Sequence, residues 1–389
     1  MSNERKYGGT DVRKLCAFAL LLCFLLGPIA GEAQSYFTIT QLQESLPERW
    51  TETYKTKWRT VEIDVQPIVP KVENIPILKV TPDLELPDIS PLGEGWTSKQ
   101  DEEFGIFYLL LNGGTYPQVH RAEKELGGVT TGIHHFPPYD MDRVYAENSD
   151  ITLGNAIDRL KSVFAAIGED PEDWWYDRPS NVLCNKTVKN KTGKYLLEGD
   201  YTIYLDQQIS GIPLLCCYVN QTVKRSMKEE IGFNAGLLFS ILTPEALDFC
   251  LSKVKIAEVL SEDVPLCDFS SVQAALEKEI KAGHIRKIFD FDLGYALYNE
   301  PGAVRGPDHP RGAIYYALPV WRVNCHYVEN AKKGMRDYTG LDVPERAVAE
   351  YMTLLVNAQT GKLIDRADKS KGAGAYKGFI SWDKAGGKP

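Results

Sequence analysis

Two apolar, aromatic-rich runs near the end of the chain, AIYYALPVWRVNCHYV and YMTLLVNAQTGKLID, flank a charged connector within residues 312–365. Each has the length and the β-branched and aromatic content of a strand, and Thr360-Gly361 predicts a turn. The stretch YLLEGDYTIYLDQQISGIPLLCCYV repeats this grammar earlier, with Ile209-Ser210-Gly211 as its bend and Pro213 at an edge or bulge. IRKIFDFDLGYALY supplies a further strand and GLLFSIL another.

Helical spacing is clearest in ITLGNAIDRLKSVFAAIG. There Leu153, Ala156, Ile157, Leu160, Val163, Phe164 and Ile167 share a face and Gly168 closes the end. A second amphipathic helix is expected over 271–282, with Val272, Ala275, Leu276 and Ile280 inward, Ser270 and Gln273 as a capping box, and Gly283 at its end. Acids at 101–103 ahead of Phe104, Phe107, Tyr108 and Leu111 predict a helix ending at Asn112-Gly113-Gly114, and HRAEKELGG predicts another. The stripe Leu42, Leu46, Trp50, Tyr54 and Trp58 predicts a helix from near Pro47, and Pro244 with its neighbouring acids a short one. The Pro-rich 59–95 reads as edge strands or extended chain, because proline cannot donate to a ladder.

Helix then strands occurs twice, which predicts an internal duplication. Leu318, Val320 and Val323 are expected against the helix at 271–282. The resulting layout is a signal peptide at 1–33, an N-terminal helix with the extended segment at 34–97, a first α+β unit at 98–265, and a second unit with a tail at 266–389.

Composition narrows the function classes. The 389 residues are 43% hydrophobic and 25% charged, and the net charge of -9 is spread without long runs, which disfavours a nucleic-acid partner. Arg13 and Lys14 precede the apolar run 15–26, followed by Gly27-Pro28 and the small-residue site Gly31-Glu32-Ala33, the order of an export signal. Secretion or an extracytoplasmic location follows, with membrane contact only through an uncleaved signal or a lipid on Cys23. Cys184, Cys216, Cys217, Cys250, Cys267 and Cys325 remain after cleavage, an even set compatible with disulfides or with buried thiols.

Candidate chemistry is sparse. His134-His135 lacks metal-ligand spacing, and Cys325-His326 are strand neighbours that point to opposite faces. Asp290 and Asp292, two apart on a strand, share a face as an acid/base pair would, but alternation with Phe289, Phe291 and Leu293 favours a polar outer face. No catalytic, metal or cofactor set is assigned. Trp174, Trp175, Tyr176, Tyr315, Tyr316 and Trp321 form a candidate interaction surface.

IRKIFDFDLGYALY, LPVWRV and NAQTGKL together resemble the repeated units of PepSY-type and cystatin-like bacterial extracellular regions. VEIDVQPIVPKVENIPILKV resembles exported bacterial proteins that carry a domain of unknown function. The resemblance implies α+β units, each a helix on a curved antiparallel sheet, acting as interaction or peptidase-regulating modules without a transferable catalytic set. Three functions stay open: a non-enzymatic binding protein for a peptide, protein or envelope component; a secreted hydrolase of glycans or peptides using Asp290 and Asp292; or a structural surface protein.

Overall fold

In the computed structural model, the residues described are 35–83, 85–101, 106–111, 132–135, 138–145, 150–175, 178–179, 181–185, 201–215, 237–242, 247–299, 314–330, 346–364 and 378–389. The expected signal peptide, the HRAEKELGG helix, Tyr176, Cys216 and Cys217 lie outside them. Residues Tyr36–Pro389 form one compact unit of mixed α+β architecture, mostly sheet, with three α-helices among the described residues.

The helices are α1 (Ile39–Ser45), α2 (Leu153–Ala166) and α3 (Phe269–Lys281). The strands of the first half are β1 (Tyr36–Phe37), β2 (Trp50–Lys55), β3 (Thr60–Val65), β4 (Pro67–Ile68), β5 (Ile77–Asp83), β6 (Trp96–Asp101), β7 (Ile106–Leu111), β8 (Gly132–His135) and β9 (Asn181–Asn185). Then come β10 (Tyr201–Asp206), β11 (Gln208–Ile209), β12 (Ile212–Pro213), β13 (Leu237–Leu242), β14 (Leu247–Ser261), β15 (Leu266–Cys267), β16 (Ile285–Asn299), β17 (Tyr315–Asn330) and β18 (Arg346–Asn357). Twelve of these join one sheet along the path β4-β16-β17-β5-β14-β13-β10-β9-β8, with β18 on β17 and the β6-β7 hairpin on β14.

Each long helix covers its own part of the sheet. The inward stripe of α2 (Leu153, Ala156, Ile157, Leu160, Phe164) packs with Ile203, Leu205 and Leu251 in one core. That of α3 (Phe269, Val272, Leu276, Ile280) packs with Phe291, Trp321 and Val323 in the other. Both are capped as helices of this kind require. Thr152 accepts from Asn155 N before α2, and Gly168, at φ 76°, follows it. Before α3 the cap is Asp268, accepting from Ser271 N at 2.8 Å, rather than the expected Ser270 box.

β14 links the two cores, since Leu247 and Leu251 belong to the first and Val254 to the second. β5 lies inside the sheet between β14 and β17, which corrects the expectation of edge strands or extended chain for this part of the Pro-rich segment. Its proline is accommodated by the ladder's alternation. Val254, opposite Pro82, gives its N–H to Gln207 Oε1 (2.9 Å) and accepts from Gln207 Nε2 (2.8 Å), so it faces away from Pro82 and the missing donor is not needed.

Four further expectations are corrected. The segment read as a helix through Leu111 is the β6-β7 hairpin, with Phe107 and Leu109 buried on β14. The stripe from Leu42 to Trp58 divides into α1, which stops before Pro47, and the β2-β3 hairpin. The helix expected after Pro244 is the start of the 15-residue β14. Finally, Leu318, Val320 and Val323 do not share a face: by period 2 the last goes with Trp321, whose ring meets Phe269 of α3 at 5.6 Å, and the first two go with Arg322. The turn at Thr360-Gly361 forms as expected. Gly361, at φ 64°, donates to Asn357 O at 2.9 Å, and Leu363 bridges back to Val356.

Candidate functional site

Among the described residues, the charged side chains with the deepest burial converge where β10, β16, β17 and β18 meet. Asp290 and Asp292 project from one face of β16, as their spacing predicts, but both are fully buried, as are Phe291 and Leu293 on the other face. The expectation of a solvated polar face is therefore corrected: this strand is covered on both sides.

Arg322, also buried, stands opposite Asp292 in the β16-β17 register. Its guanidinium reaches Asp292 Oδ2 at 2.9 Å, Asp206 Oδ2 of β10 at 2.9 Å and Asp290 Oδ2 at 3.8 Å. Arg178 arrives from the loop after Trp175, contacts Asp290 directly and lies 2.9 Å from Asp292 Oδ1, without an N–H well aligned on that second oxygen. Asn324 donates to Asp290 Oδ2 (3.0 Å) and accepts from Thr353 of β18 (2.7 Å).

Backbone contacts hold the pieces in place. Trp175 N donates to Asp206 O at 3.1 Å, and Gln208 Nε2 to Trp174 O at 3.1 Å, which fixes the loop that delivers Arg178. Gly294 lets β12 cross β16: a methyl there would lie 2.5 Å from Pro213 O, and Leu215 N bonds Tyr295 O at 2.8 Å. The loop carrying Tyr139 is tied to the sheet through Tyr145 N, which donates to Tyr201 Oη at 2.9 Å.

With every group ionised, three carboxylates face two guanidiniums, and burial disfavours the surplus negative charge. Burial, and then the neighbouring Asp290 charge, raise Asp292 to about 7. Burial also opposes ionisation of Asp290, but Arg178 and Arg322 outweigh it and hold that group below the usual carboxylate range. The two carboxyls are thus pushed in opposite directions, Asp290 toward the ionised form and Asp292 toward the protonated one. Burial and the Asp290 charge keep the Tyr139 phenol protonated far above its ordinary range.

The candidate aromatic surface is not one surface. Trp174 (2% exposed), Trp321 (0%) and Tyr316 (8%) are core residues, whereas Trp175 and Tyr315 are half-buried. Trp174 stacks on Phe164 in the α2 core, and Trp321 packs with Phe291 and Phe269 in the α3 core. Both are too far inside to meet a ligand.

Cys325 is buried and its thiol contacts Met352 O at 3.5 Å, whereas the half-buried His326 meets Phe289 edge-on at 4.6 Å on the other face. Cys184, Cys267 and Cys325 are buried free thiols. Burial pushes the thiols of Cys184 and Cys267 up to about 12. Among the described residues no group of three or more His, Cys, Asp or Glu is placed to hold a metal ion, and no helix is long and apolar enough to cross a membrane.

Sequence reasoning identified Asp290 and Asp292 but not Arg178, Asp206, Arg322 or Asn324. The available signal was Arg322 itself, a cation within the apolar strand LPVWRV.

No protein-family model matches the chain. No curated protein matches it. Among solved structures, a crystal structure of an uncharacterized protein from Eubacterium rectale ATCC 33656 is similar at 12% identity and a TM-score of 0.49, covering 82% of this chain and 94% of that one.

Proposed function

We propose that the chain is an exported, non-enzymatic binding protein of a bacterial cell envelope, built from two PepSY-like or cystatin-like units, and that it captures an extended peptide by strand addition. The observation that carries this reading is the outer run of β14. Lys255, Ile256, Ala257, Glu258 and Val259 are five successive exposed strand residues, and Ile256 and Val259 are each 44% exposed. Val254 turns its main-chain groups away from β5, so by alternation Ile256 does too, and its N–H and C=O face outward at the sheet's margin. Such a row supplies main-chain affinity, with exposed side chains as selectivity contacts.

Register shifts between Ile256 and Glu258 and between Val259 and Ser261, together with the charges of Lys255 and Glu258, disfavour open-ended pairing with identical chains. A peptide that fits the irregular edge is not excluded by them. The enclosure of Asp290 and Asp292 counts against the hydrolase alternative, because a general acid or base must reach its substrate.

The test is binding of a fluorescent extended-peptide library to the full chain, with turnover of peptide and glycan substrates followed in parallel. Saturable binding that falls at least tenfold in Ile256→Lys/Val259→Lys, without turnover, is expected. Binding indifferent to those changes, or turnover abolished by Asp290→Asn, would overturn the reading.

A further inference from the structure

The last described segment, residues 378–389, returns to the body at Gln359 and Asp263. Gln359, 4% exposed, donates through Nε2 to Ile380 O (2.7 Å) and accepts from Ile380 N at Oε1 (3.1 Å). This two-point reading of one residue's main chain is the arrangement that Gln207 makes with Val254. There the partner is a strand of the sheet, whereas here it is a segment reached only through residues 365–377, a stretch of mostly Lys, Gly, Ala and Asp.

The receptor groups are fixed by the body before the tail is counted. A second Nε2 hydrogen of Gln359 goes to Pro265 O at 3.1 Å, which sets the plane of the amide and aims its remaining donor and its acceptor outward. Asn357 Oδ1 holds the turn by accepting from Gln359 N (2.9 Å) and Thr360 N (3.1 Å). Asp263 uses Oδ1 to accept from Ile75 N at 3.1 Å, which leaves Oδ2 directed at the tail. That oxygen receives the Trp382 indole N–H at 3.0 Å and lies 3.0 Å from Lys388 Nζ, while Phe379 packs against the apolar core. Each contact has a distinct selectivity: the amide pair reads any extended residue, the carboxylate selects an indole donor, and its charge selects a cation.

We propose that Asp263, Pro265 and Gln359 form a peptide-recognition site, occupied in this chain by its own C-terminal segment. It accepts in trans a segment of the same chemistry, an apolar residue followed two positions on by Trp and then by a lysine. The tail is thereby a resident competitor that sets the threshold for an outside ligand. The residues differ from those of the β14 edge, so either proposal can fail alone.

The test uses the full-length chain with its own tail disabled by Trp382→Ala and Lys388→Ala, and a fluorescein-labelled peptide with the sequence of residues 378–389, followed by fluorescence anisotropy. Saturable binding at least tenfold tighter than to the unchanged chain is expected, with at least a tenfold loss when the peptide itself carries Trp382→Ala. No saturable binding by a tail-disabled chain that still unfolds cooperatively, or equal binding of the Trp-less peptide, would overturn the proposal. Should that chain fail to fold, an otherwise unchanged chain cut at a protease site placed within 366–376 and washed free of its tail takes its place, with the same two outcomes.

Discussion

Arg322 and Asp292 face each other across the β16-β17 ladder and close a 2.9 Å hydrogen-bonded contact in a place that solvent does not reach. A cross-strand pair of this sort on a surface contributes little. Here Arg322 also holds Asp206 of β10, so one guanidinium ties the strands of the α3 core to a strand of the α2 core.

Replacing Arg322 with Met strands the buried Asp206 carboxylate and removes the partner of Asp292, and the cost of breaking a buried pair from one side is about 3–5 kcal/mol. Urea unfolding of the full chain is expected to show a loss of that order for Arg322→Met. A loss below about 1 kcal/mol would mean that the network is more hydrated than its burial implies.

The opposite shifts of Asp292 and Asp290 make stability depend on pH. Asp292 has a folded value raised above its unfolded one, so its contribution is complete below the unfolded value of about 3.8 and is lost as pH rises through about 7. Asp290 has a depressed value, so its contribution holds above about 3.8 and is lost as pH falls through the folded value. Urea midpoints measured from pH 5 to 9 are expected to fall up to about pH 7 and to level off above it for the unchanged chain, and Asp292→Asn is expected to flatten that fall. An equal slope in both chains would place the titration elsewhere.

Gly294 is required by space rather than by backbone angle. Ala there must displace Pro213 O or the Leu215 side chain, and overpacking of this kind costs about 1–3 kcal/mol. At Gly168 nothing lies within 4 Å of an added methyl, and only the positive φ of 76° is strained, at about 1 kcal/mol. Thermal melts of Gly294→Ala and Gly168→Ala are expected to rank in that order.

Elements governed by local periodicity were legible. The stripe from Leu153 to Phe164 and the one from Val272 to Ile280 mark helices because one face meets a core. Ile285–Asn299 and Tyr315–Asn330 are strands because they are long, apolar and free of helix signals. IFYLLL misled because the acids before it imitate a helix's first turn, and only its place beside β14 makes it a strand. The ion network was half legible. Two carboxylates on one face follow from period 2, but Arg178 is 112 residues from Asp290, and Asp206 is 116 from Arg322. Charge spacing along the chain carries no information about partners that distant.

The corner around Asp263 gathers chain from far apart: β1 pairs with β15 just beyond it, Ile75 donates to its carboxylate, and Trp382 and Lys388 complete it. During synthesis, which delivers residues in order, this corner cannot close until residue 388 has emerged. The rest of the sheet can pair before then, so completion of the corner reports that residue 388 has been delivered.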